Sequence, residues 1–306
     1  MNIAHQTPDF DVIVVGGSYA GLSAALQLAR ARRRVLVIGA GQRRNRHATH
    51  SHGFLTQDGK EAAAIAAEGR AQLRAYPNVA WANEKAVAAA VDGDGFQVML
   101  PDGGHVLGRR LILASGVADT LPPIAGLAER WGKSAFHCPY CHGYELDEGD
   151  IGVLATGEIS MHQALLLPDW GRVTFFLNDA FEPGEAQRAL LARRGVRIEE
   201  TAIARIDGAA EVVLQDGRRL PMAGLFVAPR TSSASALAGQ LGCTMEAGPL
   251  GEFVHTDVQK ATSVSGVFCC GDLARAAGNV AFAVADGAMA GVAAHRSLIA
   301  ELQQPA

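Results

Sequence analysis

Cys138 and Cys141 stand three positions apart in the stretch FHCPYCHGYE, with His137 directly before the pair and His142 directly after it. Three chemistries fit these residue types at this spacing. C-x-x-C-H is the attachment pattern of a c-type haem. A cysteine pair of this kind is also half of a structural zinc site. The same two sulfurs can form a disulfide that opens and closes during catalysis, with an imidazole at hand to move the proton that thiolate formation releases.

The rest of the chain weighs on that choice. The opening MNIAHQTPDFDVIVVGG has no basic segment leading into an apolar one, so no secretory leader is expected. No apolar run approaches the ~18 residues of a membrane span. The expectation is a cytoplasmic protein, in which thiols are kept reduced, so the five cysteines are not structural staples. Haem attachment needs export and loses ground accordingly. Zinc needs two more ligands at metal spacing. Cys243, Cys269 and Cys270 form no second C-x-x-C, and the last two fall in a buried-strand pattern where cysteine behaves as a small hydrophobe. No metal is expected. A net charge of -4 gives no basic footprint for nucleic acid, and 306 residues, 49% of them hydrophobic, suffice for two domains with separate cores.

The elements that must position the cysteines follow from hydrophobic patterning. DVIVV (Asp11 to Val15) runs as a buried strand into GGSYAG, then a helical pattern, LSAALQLARA, then a second strand, RVLVI (Arg34 to Ile38). This is the βαβ unit of a dinucleotide-binding domain. Gly16 permits the tight turn and Gly21 permits close packing of helix on strand. The middle glycine of the fingerprint is replaced by Ser18. The acid expected after the second strand is absent, since Gly39 stands there, so ribose contacts must come from elsewhere.

The pattern recurs. DIGVLATGEISMHQALLL from Asp150 lies over DVIVVGGSYAGLSAALQL from Asp11 without a gap, and VVLQDGRRLPMAGLFVA (Val212 to Ala228) lies over VMLPDGGHVLGRRLILA (Val98 to Ala114). In both copies an Asp-Gly turn joins two short strands. The stretch from about Pro249 to His295 has no counterpart and is expected to return to the first domain.

In TSVSGVFCCGDLARAAGNVAFAVADGAMAG the Gly271-Asp272 pair before a glycine- and alanine-rich helix resembles the second FAD-binding motif of flavoproteins with two dinucleotide domains. ILASG (Ile112 to Gly116) resembles their strand at the domain junction. With C-x-x-C just before the second nucleotide strand, the chain from Asp11 to His295 resembles low-molecular-weight thioredoxin reductase. CPYCHGYE and SHGFL (Ser51 to Leu55) resemble the branch that includes the gliotoxin and holomycin dithiol oxidases.

That resemblance implies an α/β fold of two Rossmann-like (FAD/NAD(P)-binding, three-layer ββα) domains, the second inserted in the first. The expected boundaries are residues 1–117 with 246–306 for the FAD domain, and residues 118–245 for the NAD(P)-like domain carrying the cysteines. FAD would be held by Gly16, Ser18, Gly21, Gly116, Gly271, Asp272 and Ala281. Cys141 would be the inner sulfur, a charge-transfer thiolate against the flavin, and Cys138 the outer sulfur that exchanges with substrate. His142 stands where thioredoxin reductases carry an acid–base aspartate, and His137 is the second candidate. His50 and His52 would lie where the chain passes near the flavin. A homodimer is implied, acting on a small dithiol or disulfide or on a thioredoxin-like protein, with neither nucleic acid nor membrane as partner.

The second nucleotide loop departs from the reductase pattern. G-G-G-x-x-A is replaced by Ala155 to Ser160, which keeps only Gly157, and the next strand is followed by Asp179 and Glu182 where reductases place a His-Arg-Arg cluster for the NADPH 2′-phosphate. A phosphate dianion would meet like charge there. The expected function is therefore an FAD-dependent dithiol oxidase that passes electrons to dioxygen. The alternative is a thioredoxin-disulfide reductase-like enzyme fed by NAD(P)H or a ferredoxin.

Overall fold

The computed structural model describes residues 9–300; the reading of a leader-free start, for residues 1–8, lies outside them. The chain divides into two compact units, one of Met1–Arg44, Ala63–Ala118 and Ser232–Ala306, the other of Asn45–Ala62 and Asp119–Thr231.

In the first unit the apolar runs become parallel strands buried on both faces, as their unbroken hydrophobicity requires. The sheet runs in the order Val79–Ala82, Val35–Ile38, Phe10–Val15 and His105–Leu113, with Val267–Cys269 beyond. Val15 pairs with Ile38 and Leu113, and Leu113 with Cys269, so the parallel strands end together along one edge. In an open α/β sheet that edge is where ligands bind. The first half of His105–Leu113 also pairs with the antiparallel strand Gly95–Met99, which in turn pairs with Ala88–Asp92.

Helix Tyr19–Arg30 crosses the sheet, and helix Val280–Ala300 packs on it through small residues. A Cβ at Gly287 would stand 2.1 Å from the Ala20 carbonyl oxygen, and one at Gly291 2.5 Å from that of Ala24. Asp286, fully buried on the same helix, is held by Lys260 Nζ at 2.9 Å and Arg275 Nε at 2.5 Å. Two cations on one carboxylate compensate its loss of solvation.

The second unit repeats the plan with a five-stranded parallel sheet, ordered Ala135–Phe136, Gly224–Val227, Glu148–Leu154, Gly171–Phe176 and Arg197–Glu199. Its Asp216-Gly217 turn also joins two strands, but the copies then diverge. Where the first has one nine-residue strand, His105–Leu113, the second has two, Arg219–Pro221 and Gly224–Val227, in different sheets. Pro221 has no N–H for a ladder, and the strand breaks just after it.

The expected boundary near residue 117 falls within a residue of its place, whereas the one near 245 shifts and a further segment changes unit. Residues 232–245 belong to the first unit, not the second, because Leu237, Ala238, Leu241 and Cys243 complete its core against strands such as Phe10–Val15. Residues 45–62, expected in the first domain, cluster with the second unit. There a Cβ at Gly132 would touch His47 at 2.8 Å, and His52 meets Glu145.

Gly287→Val should destabilise the first unit by about 2 kcal/mol or more, because the obstacle is backbone and has nowhere to move. Ala285→Ser on the exposed side of the same helix should stay within about 0.5 kcal/mol of wild type. Urea unfolding of the two variants side by side makes the comparison.

Candidate active site

The first glycine loop is shaped by backbone touching backbone. Gly16 has φ +123°, and a Cβ there would stand 2.1 Å from the Ala114 carbonyl oxygen; one at Gly21 would stand 1.7 Å from that of Gly16. Ser18 is the N-cap of helix Tyr19–Arg30 and its side chain makes no capping bond. Gly16 to Ser18 border the adjoining cavity where this helix begins, with no side-chain cap from Ser18, a place suited to a pyrophosphate. That cavity, about 260 Å³, is lined by Gly16 to Ser18, Gly39 to Arg43, Glu84 to Val87, Ser115 and Ser235.

The missing acid at Gly39 has a steric cause. A Cβ there would meet the Gly17 nitrogen at 2.7 Å, and the Trp81 ring covers both glycines. Glu84, which sequence reading passed over, brings a carboxylate to the same cavity just past strand Val79–Ala82. In the same unit Gly271 takes φ +71°, turning the chain so that Asp272 meets Arg44 at 2.9 Å. Gly116 is also left-handed, at φ +72°. Ala281 lies in the first turn of helix Val280–Ala300, where Asn279 Oδ1 accepts the Phe282 amide at 2.8 Å.

The second glycine loop satisfies itself. The Thr156 amide donates to the Ser160 hydroxyl at 2.9 Å, and the Thr156 hydroxyl to the Ala228 carbonyl at 3.0 Å. The helix that follows, Ser160–Leu166, has seven residues against twelve in the first copy. Gln187 Nε2 donates to Glu158 Oε1 at 3.1 Å. One arginine invisible to a reading of the strand end folds back here: Arg188 lies 2.5 Å from Glu182 and 2.8 Å from Glu200. Its charge is already met by two carboxylates.

Cys138 and Cys141 form a disulfide across the single helical turn Pro139–His142, with Pro139 at a first-turn position where its missing N–H costs nothing. His142 stacks on Phe136, ring centroids 4.1 Å apart, and both its ring nitrogens are buried without a hydrogen-bond partner. Burial, and secondarily the charge of His52, lowers its pKa to about 4. It is therefore a neutral imidazole at pH 7, able to accept a proton. His137 stands on the other side of the pair, its ring 6.0 Å from that of Trp131. His52 Nδ1 lies 3.2 Å from Glu145 Oε1, and the His50 and His52 rings are 6.4 Å apart.

The remaining cysteines are removed from this chemistry. Cys243, Cys269 and Cys270 are buried free thiols, and burial pushes Cys270 up to about 12 and Cys269 well above its ordinary value.

Residues 10–290 match the family model of pyridine nucleotide-disulphide oxidoreductases. The chain belongs to this family. It is 34% identical over 303 residues to thioredoxin reductase sirT of Leptosphaeria maculans, covering 92% of each chain. The structure of an oxidoreductase from Agrobacterium tumefaciens is 55% identical, with a TM-score of 0.92 over 95% of this chain and 98% of that one. The structure of HlmI is 34% identical, with a TM-score of 0.89 over 96% of this chain and 93% of that one. The protein is thus an FAD-dependent oxidoreductase of the thioredoxin reductase type, with two Rossmann-type domains. The first glycine loop fits that cofactor, since Gly16 to Ser18 border an open cavity of about 260 Å³ and nothing larger than glycine could stand at Gly16 or Gly21.

The lowered pKa of His142 links stability to pH. Between about 4 and 6.5 the unfolded chain binds a proton at this residue that the folded chain does not, so stability falls as pH drops through that window. The full shift corresponds to roughly 3 kcal/mol, and residual exposure reduces it to about 2 kcal/mol. His142→Gln should lose less stability than wild type between pH 7 and pH 4 by about that amount, as measured by urea unfolding at each pH.

Proposed function

We propose that this enzyme is a dithiol oxidase: it closes a small dithiol into a disulfide and gives the electron pair to dioxygen, releasing hydrogen peroxide. The self-satisfied second nucleotide loop carries this reading. The Thr156 amide is engaged by Ser160, and Arg188, the cation beside that strand end, is clamped by Glu182 and Glu200. An NADPH 2′-phosphate would have to displace two carboxylates to use it. The resemblance of CPYCHGYE and SHGFL to the gliotoxin and holomycin branch points the same way.

In this reading Gly16, Ser18 and Gly21 hold the FAD pyrophosphate, and Gly116 lets the chain turn beside it. Gly271 and Asp272 would serve the ribitol, Ala281 would offer an amide to the ring, and Glu84 would take the ribose role that Gly39 leaves vacant. When bound, FAD would supply the two-electron acceptor through which the reduced Cys138 and Cys141 re-form their disulfide, with dioxygen taking the electron pair on as hydrogen peroxide. The chain's own residues do the rest. A substrate thiolate attacks Cys138, breaking the Cys138–Cys141 bond and releasing Cys141 as a thiolate. The second substrate thiol then attacks the mixed disulfide, expelling Cys138 and leaving with the new S–S bond. His142, neutral at pH 7, takes a thiol proton, with His137 as the second candidate.

The sum is one dithiol and one dioxygen giving one disulfide and one peroxide. The setting is the cytoplasm; among the described residues no helix is long and apolar enough to cross a membrane. The second copy in a homodimer would cover the outward stripe Phe282, Ala285, Met289 and Val292 of the closing helix, apolar yet exposed. The names of relatives such as sirT keep a second reading in view, a thioredoxin-type reductase fed by NAD(P)H or a ferredoxin.

Anaerobic mixing separates them. Dithiothreitol should bleach the flavin readily, and NADPH should do so very slowly. Air should then restore the yellow colour, with about one peroxide per disulfide formed. Cys138→Ser and Cys141→Ser should each abolish bleaching by dithiothreitol. Reduction by NADPH at tens per second, a working turnover rate, would establish a reductase instead.

A further inference from the structure

The redox reading leaves one ion pair at the edge of the first sheet unused. Arg44 Nη1 meets Asp272 Oδ2 at 2.9 Å, and the two side chains are only 18% and 20% exposed. They come from distant places in the chain. Arg44 follows Gly39 to Arg43, the stretch after strand Val35–Ile38 that lines the cavity beside the first glycine loop. Asp272 follows strand Val267–Cys269. Gly271, between them, turns so close to the first helix that a Cβ there would stand 2.8 Å from that of Ala20. Two strands, Phe10–Val15 and His105–Leu113, separate Val35–Ile38 from Val267–Cys269 in the sheet, a spacing of roughly 14 Å. The Arg44–Asp272 pair therefore joins two loops across the edge where such sheets bind ligands. Both oxygens of Asp272 are placed. Oδ2 faces Arg44, and a Cβ on Gly278 would stand 2.2 Å from Oδ1, so backbone walls the other side. Arg275, from the same loop as Asp272, gives Nε and Nη2 to Asp286 at 2.5 and 2.9 Å.

We infer that Arg44 is a cofactor-positioning residue: it holds the Asp272 carboxylate in the orientation in which a ribitol hydroxyl of FAD can donate to it. This rests on the ribitol role proposed for Asp272 and adds the residue through which that role is set. Arg44 acts through Asp272 and need not touch the cofactor itself. A carboxylate has about four lone-pair sites, so the bond from Arg44 leaves acceptors for a hydroxyl. A rigid guanidinium keeps the carboxylate from turning, and an acceptor fixed beforehand loses less freedom on binding than a mobile one. Gly278 closes the remaining side, so the carboxylate is fixed by one charge and one stretch of backbone. Stability alone is a weak reason for the pair, because both charges lose solvation in forming it. Its position, across the ligand edge and on the carboxylate beside the first helix, is the better reason.

The test is release of FAD from the full-length, FAD-loaded enzyme on dilution, read by the fluorescence of the released flavin. Asp272→Asn should weaken FAD binding about tenfold or more, the loss of a hydrogen bond to a charged group. Arg44→Met, which keeps an apolar stem and no donor, should weaken it by about three- to tenfold. The double variant should bind FAD as Asp272→Asn does, within about twofold, because Arg44 then has no carboxylate to orient. Arg44→Lys, which keeps a cation, should recover part of the loss. Thermal unfolding at rising FAD concentration identifies a mere staple. In that case Arg44→Met lowers the midpoint equally at every FAD concentration and leaves release unchanged, which overturns the inference. Losses that multiply in the double variant overturn it too, since Arg44 then serves FAD without Asp272. Tighter FAD binding in Arg44→Met also overturns it, because the arginine then competes with the ribitol. Where Arg44→Met retains no FAD, Arg44→Gln takes its place in the same cycle. Unchanged FAD binding in Asp272→Asn refutes the ribitol role of Asp272 itself, a separate outcome.

Discussion

The contact on which the first unit depends is that of one peptide carbonyl with a neighbouring α-carbon. The Gly16 carbonyl oxygen lies so near Gly21 that a β-carbon would be 1.7 Å away, and the Ala114 oxygen would stand 2.1 Å from one on Gly16. Side chains are absent there because backbone fills their space. This closeness aims the first turn of helix Tyr19–Arg30 at the edge where the parallel strands end. The same helix must then accept Gly287 and Gly291 of the closing helix on its other side. Strand end, helix start and closing helix are thus fixed by a few contacts without adjustable side chains, and the flavin cradle inherits that rigidity.

The second unit shows what happens to the same plan when the constraint is relaxed. Ala155 replaces the turn glycine and is buried among the apolar side chains of its unit. The Ser160 hydroxyl accepts a hydrogen bond from the Thr156 amide, and the helix behind it is short. The two units share strand order and hairpin but differ at the glycine loop. The sheet needs only hydrophobic runs, whereas a phosphate site needs several amides left unsatisfied at once. What this unit retains is the cysteine turn, closed by Pro139 and backed by Phe136 and His142.

Local features were legible before any coordinates. Gly16, Gly21, Gly271 and the C-x-x-C each announce themselves because their chemistry depends on neighbours within a few residues. The strands Phe10–Val15 and Val35–Ile38 fell within a residue of their expected limits, since unbroken apolar runs leave little choice. Long-range placement was not legible. Nothing in the sequence says that Asn45–Ala62 clusters with the cysteine-bearing unit, or that Leu237 to Cys243 fills the core of the other. Such choices are made by surfaces that exist only after the sheets form. Arg188 was missed for the same reason: it lies on a helix, several residues past the strand end, and reaches Glu182 only when that helix folds back.

The three buried thiols take on a different meaning in a protein whose proposed product is peroxide. Oxidation of cysteine follows thiolate character and access. Cys243, Cys269 and Cys270 are held protonated by burial, so the oxidant released nearby finds little sulfur to attack. The fold thereby sorts its sulfur into two compartments, one reactive and one inert.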